Sequence, residues 1–235
     1  MRVARPVLQP MMKMPLPSDE VYASLKDLLL DLEGMRKVLT DPETTTVRIV
    51  LNLEKMVVKE AKRAYTYLSL FGYVTDAVVV NRLLPGELHD ELFQKWQRIH
   101  HRYQREVEQS FAGIPIFNVP LFDREVVGEK MLARMAQAIY GDDDPSRRFA
   151  TSNPQRIDKE GADYVLSLKV PFVDRSAVDL SRHNGDLYVT VGNYRREITL
   201  PRVLERRDTA GASIEDGELR VRFAPRAARP EAAKQ

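Results

Sequence analysis

The chain has 235 residues, a net charge of +2 and no cysteine. That length suits one large domain or two small ones, and the lack of thiols excludes disulfides and thiolate zinc sites. Acids and bases are interspersed, without the basic stripe of a nucleic-acid binder. No apolar run approaches the ~18 residues of a membrane span, and the start of the chain lacks the basic-then-apolar order of a signal peptide. The expectation is a soluble cytoplasmic protein with no nucleic-acid partner and no stable membrane insertion.

Near the start of the chain, RPVLQPMMKMPLPSDE holds four prolines and three methionines, which argues against a regular element there. Ser18 is a candidate N-cap, with Asp19 and Glu20 suited to the positive end of a helix. Val21, Leu25, Leu28, Leu32, Met35 and Leu39 then recur at helical spacing and give one apolar face. Asp41-Pro42 ends it. TVRIVLN, residues 46–52, reads as a strand. A helix over 54–71 carries Met56, Val57, Ala61, Ala64, Tyr65 and Leu68 inward, and Gly72 is its candidate C-cap.

DAVVVN is a second strand, rich in β-branched residues as a strand buried on both faces is. Strand, helix and strand with short connections make a βαβ unit with parallel strands and a right-handed crossover. A long helix over 86–111 comes next, then a short strand in IPIFNVPLF, then a helix over 123–140 that includes Val126 and Val127. A sheet of about three strands is small for an open α/β domain and leaves an exposed parallel edge. The α/β piece reads as incomplete.

Residues 141–161 have few large apolar residues and no period, and they read as a linker. The period then changes to two, as in Tyr164, Leu166, Leu168 and Val170, in Leu187, Val189 and Val191, and in Leu219, Val221 and Phe223. Gly192-Asn193 and Asn184-Gly185 are turn signals. Short strands at this spacing predict a β-sandwich over 162–224, and the Ala-, Arg- and Pro-rich stretch 225–235 reads as a disordered tail. The domain order is therefore 1–43 (a helical piece), 44–140 (α/β), a linker and a sandwich.

The chemistry of a free-standing enzyme is missing. No two of the 11 glycines are five residues apart and none precedes a lysine, so this sequence holds no G-x-x-x-x-G-K-[ST] phosphate loop. Nor is there a Rossmann G-x-G-x-x-G or a G-x-S-x-G elbow. Adjacent His100 and His101 point to different helix faces and make poor joint ligands. Asp142, Asp143 and Asp144 read as a charged linker with no phosphate cradle beside it. No metal site is expected. One residue stands out: Asn81 ends the VVV strand just before the turn LLP, where open α/β sheets bind ligands. It is either a local turn residue or a hydrogen-bonding group aimed at a ligand, and the strand end alone does not decide.

The segment TTTVRIVLNLEKMVVKEAKRAYTYLSLFGYVTDAVVVNRLLP resembles the second half of the ArsA-type ATPases, which include arsenical pump-driving ATPases and ATPases that target tail-anchored membrane proteins. Glu60 and Arg63 sit in the matching helix. The strand end resembles the family's Asn-x-(Leu/Val)-Leu-Pro motif, and VPLFDREVVGEKML its P-L-x-x-x-E-V-x-G segment. The resemblance covers roughly residues 1–140. It implies a P-loop-type α/β fold that dimerises and hydrolyses ATP with Mg²⁺, with Asn81 contacting adenine and Pro120 and Leu121 covering the base. Met11, Met12, Met14 and Leu16 would belong to a client groove or to a packing edge. Without the phosphate loop and switches, this chain alone is expected to be inactive and to bind nucleotide weakly. It would be a segment of a longer ATPase or the partner of a separate P-loop chain, and a homodimer is a further expectation.

Residues 162–224 resemble the α-crystallin domain of small heat-shock proteins. Pro171-Phe172, Gly185 with Leu187, Leu200-Pro201 and ASIEDGELRV carry the likeness, the last through Ala212, Ile214, Gly217, Leu219 and Val221. The resemblance implies a compact sandwich that binds hydrophobic protein clients. The segment between Gly192 and Leu200 is too short for a strand-exchange loop. The alternative reading of the chain is a non-enzymatic chaperone or adaptor that acts through this sandwich.

Overall fold

The computed structural model describes residues 18–85, 91–151 and 153–226. The Met11, Met12, Met14 and Leu16 cluster, the start of the helix expected from residue 86, and residues 227–235 of the tail lie outside the described residues.

Helix α1 (Asp19–Thr40) begins where Ser18 accepts a hydrogen bond from the Val21 backbone N–H at 3.4 Å. It buries none of its residues. Leu25, Leu28, Leu32 and Met35 all lie on the surface, so the apolar face is present but has no cover among the described residues.

Three parallel strands come next, β1 (Val47–Asn52), β2 (Thr75–Leu83) and β3 (Ile116–Pro120), ordered β1-β2-β3 in the sheet. Their connections are helices α2 (Lys55–Leu70) and α3 (Glu91–Ser110). One sheet face carries Ile49, Leu51, Val78 and Val80, packed on Val58, Ala61 and Tyr65 of α2 and Tyr103 and Val107 of α3. Alternation along the strands puts Val79 and its register partner Val50 on the other face. Val79 is buried, but Val50 is 62% exposed. The second face is thus covered on the β3 side and open at β1.

Helix α4 (Glu129–Tyr140) is shorter than its sequence suggested. The expected start at 123 is wrong: Gly128, at φ 79°, precedes the first turn, and Val126 and Val127 lie before it outside any helix or strand. Positive φ at Gly128 cannot continue a right-handed helix.

The linker expectation is also corrected. Residues 155–160 form strand β4 (Gln155–Glu160), which pairs antiparallel with β5 (Asp163–Lys169) over its whole length. Its sequence, QRIDKE, is polar because this edge strand leaves residues of both its faces exposed to water. Residues 141–149 are held too. Arg48 reaches from β1 to the Pro145 and Arg147 carbonyls at 2.7 and 2.9 Å, and its guanidinium lies 4.8 Å over the Phe149 ring. It also pairs with the fully buried Asp76 at 3.3 Å, and Asp76 accepts the Phe149 N–H.

The remaining strands are β6 (Val178–His183), β7 (Asp186–Val191), β8 (Tyr194–Thr199), β9 (Arg207–Glu215) and β10 (Glu218–Pro225), with a short helix α5 (Arg202–Glu205) between β8 and β9. They form two antiparallel sheets, β4-β5-β10-β9 and β6-β7-β8, and the apolar alternation of β5, β7 and β10 supplies the core between them. The expected sandwich is present, widened by β4 and Pro225 at its ends. Asn184-Gly185 and Gly192-Asn193 make two-residue hairpin turns, and Asn184 and Gly185 both take positive φ, as a type I′ turn requires.

The two units are joined by α2. Its last residue, Leu70, is fully buried and belongs to the sandwich core. Thr66 donates to the Pro171 carbonyl at 2.6 Å, Arg196 of β8 donates to the Leu70 carbonyl, and Tyr67 packs on Tyr194 with ring centroids 3.9 Å apart. Phe172, at φ 63°, places its ring near Tyr65 and Phe111 and under Lys62. A bulky residue in that backbone region is strained, and its contacts with the α/β unit hold it there.

Candidate functional site

Asn81 lies toward the carboxyl end of β2, the central strand of the parallel sheet. It is half-buried, on the same strand face as Val79. Its carboxamide oxygen accepts the N–H of Arg82 at 3.0 Å, and Arg82 takes φ 58°. That bond steadies an unfavourable backbone position, as short polar side chains do in turns. The carboxamide NH₂ has no partner among the described residues. Both readings of Asn81 therefore have a physical basis: the oxygen serves the turn, and the two N–H donors stay free.

Pro120 and Leu121 are brought to the same edge. Pro120 pairs with Leu83 across a register shift between Val80 and Leu83, and the Leu121 N–H donates to the Leu83 carbonyl at 2.8 Å. Pro cannot donate to a ladder, so the sheet ends here and the chain turns away. Leu121 is 47% exposed. The three predicted site residues thus lie on neighbouring strands near the carboxyl edge of the sheet.

Sequence reasoning missed Asn52. It ends β1 in register with Asn81. The signal was present, because the apolar run of TVRIVLN stops at an asparagine just as that of DAVVVN does, although β2 itself continues past Asn81 to Leu83. The open face beside Val50 runs toward this pair, and two carboxamides at adjacent parallel strand ends offer both donors and acceptors to a flat polar ligand.

Other candidates resolve as structural. Asp144 accepts from the Ser146 N–H and hydroxyl at 2.8 and 2.7 Å, and these bonds lower its pKa. Asp143 pairs with Arg147. His100 is partly buried, and burial lowers its pKa. Among the described residues no group of three or more His, Asp or Glu side chains is placed to hold a metal ion, and no helix is long and apolar enough to cross a membrane.

Two family models match. Residues 1–141 match the anion-transporting ATPase family, and residues 161–223 match the HSP20-like domain found in ArsA. Among curated relatives, the chain is 37% identical over 225 residues to a protein of Aquifex aeolicus described as "Putative arsenical pump-driving ATPase 1", with 94% of this chain and 57% of that protein covered. It is 35% identical over 227 residues to a protein of Chlorobaculum tepidum described as "Putative arsenical pump-driving ATPase", covering 94% and 56%. The chain thus spans just over half the length of these relatives. With most of its residues under the ATPase model, the chain belongs to the anion-transporting ATPase family.

Proposed function

We propose that this member of the anion-transporting ATPase family supplies the adenine side of an ATP site, and that its sandwich serves as a protein-interaction module. The observation that carries the first part is the free carboxamide NH₂ of Asn81 beside Pro120-Leu121, at the carboxyl ends of parallel strands. The donors suit an acceptor on the adenine edge, and Leu121 offers apolar cover for the ring. ATP supplies the transferable phosphoryl group and Mg²⁺ accompanies it. This chain's own residues would orient the base and exclude water from it, while the phosphates need a glycine-rich loop that this sequence does not contain. That portion would come from a longer chain or a partner chain, and nucleotide-linked dimerisation belongs to the same proposal.

The decisive comparison is ATP against GTP binding with the phosphate-binding portion supplied, for wild type and Asn81 variants. Loss of adenine preference without loss of fold supports the assignment. Preference that survives every Asn81 variant removes it.

The match of the sandwich to the HSP20-like domain found in ArsA favours the second part, and the exposed apolar face of α1 would add surface for hydrophobic protein clients. Suppression of aggregation of an apolar client by the chain, reduced by polar substitutions at Leu28 and Leu32, tests it. Equal suppression by wild type and variant would overturn it.

A further inference from the structure

One end of the sandwich gathers arginines around two adjoining hollows. The larger, about 950 Å³, is bordered by Arg182, the Asn184-Gly185 turn and Glu205. The smaller, about 550 Å³, is bordered by Val203, Arg207 and Pro225. Arg202, Arg206 and Arg226 line both, so the hollows form one open trough.

The trough is cationic in a chain whose net charge is only +2. Arg182 donates to the backbone carbonyls of Arg207, Leu204 and Glu205, and Arg207 donates to the Ala162 carbonyl at 2.6 Å. Neutral acceptors fix these guanidinium groups in place without cancelling their charge. Arg202 and Arg206 are exposed and have no hydrogen-bond or ion-pair partner among the described residues. Of the acids at hand, Asp208 is 3.3 Å from Arg226, and Glu205 packs against Gly185. Two free arginines and two locked ones therefore border the trough together.

We infer that this trough binds an acidic peptide segment of a partner protein. Guanidinium forks match carboxylates in bidentate pairs, and two adjoining hollows that share three arginines offer more sites than a single small anion would fill. Among the described residues no aromatic side chain lines either hollow, so bases have nothing to stack on. The surface is concave, and Val203 is the one large apolar side chain bordering it among the described residues, which gives a lipid surface little to grip. The inference rests on the sandwich being an interaction module. The two can fail separately, because the aggregation test uses apolar clients and α1 variants.

The test is anisotropy of a labelled oligoglutamate peptide titrated with the full chain at low salt, with phosphatidylserine vesicles, single-stranded oligonucleotide and inorganic polyphosphate as competing probes. Arg202→Glu with Arg206→Glu should weaken peptide binding by about tenfold or more, at an unchanged melting temperature, since both side chains are exposed and unpaired. Arg202→Lys with Arg206→Lys should lose less, since charge remains and only the fork is gone. No saturable peptide binding would overturn the inference. So would equal affinity of the glutamate variant, or tighter binding to vesicles, oligonucleotide or polyphosphate than to the peptide.

Discussion

Asn52, the last residue of its strand, stands side by side in register with Asn81, two residues before the end of the neighbouring parallel strand. Their backbones then diverge. Asn52 leads through a tight turn, in which its carbonyl accepts the Glu54 N–H at 2.8 Å, into α2. Asn81 leads into the strained Arg82. The Asn52 side chain makes no bond among the described residues that the fold depends on, so Asn52→Ala should change stability by less than about 0.5 kcal/mol. If the pair shares a base, the same change should weaken ATP binding to the completed site by about 1 kcal/mol. Denaturant melts and nucleotide titrations check the two halves.

Leu70 links the units from inside the sandwich core. Leu70→Ala should cost about 2–5 kcal/mol, in the range of core truncations, and the loss should register in the melting of both units. Calorimetry of the whole chain should show one transition, not two. Two well-separated transitions that shift independently would contradict the shared packing.

Strand β4 sets where the sandwich begins. A piece starting at residue 153 keeps the β4–β5 pairing and the Arg156–Glu218 pair at 2.5 Å. One starting at 162 loses both and exposes the edge of β5. The longer piece should melt higher by circular dichroism. Equal melting would mean that β4 adds nothing to the fold.

Arg48 and Asp76 close the opposite end of the α/β sheet. Asp76 is fully buried, so Arg48→Met strands a carboxylate and should cost about 3–5 kcal/mol. Asp76→Asn keeps an acceptor for the Phe149 N–H and should cost less. Urea midpoints for the two variants rank them. The reverse order would contradict the cost assigned to a stranded carboxylate.

Much of this architecture was legible in the residues. The valine run of β2, the apolar alternation of β5, β7 and β10 and the Asn184-Gly185 turn each point to one local structure. The features that stayed hidden depend on neighbours. QRIDKE has no strand-like alternation because β4 is an edge and needs only β5 to form. Val126 and Val127 look helical until Gly128 takes positive φ. Leu70 carries the periodicity of α2, but periodicity does not say which core a helix end enters. At the candidate site the motif located Asn81, Pro120 and Leu121, while the Arg82 bond depends on a backbone conformation that no pattern encodes.

That bond decides which variant tests the adenine assignment best. Asn81→Ala removes the turn bond and the NH₂ together, so lost stability and lost binding would be confused. Asn81→Asp keeps an oxygen for the Arg82 N–H and deletes only the donors. The added charge bears on ATP and GTP alike, so the measurement is the ratio of their affinities with the phosphate-binding portion supplied. The expected result is a near-native melting temperature with the ATP-over-GTP preference reduced about tenfold, as an unpaired hydrogen bond of roughly 1–3 kcal/mol implies. An unchanged preference in Asn81→Asp would contradict base recognition and leave Asn81 as a turn residue.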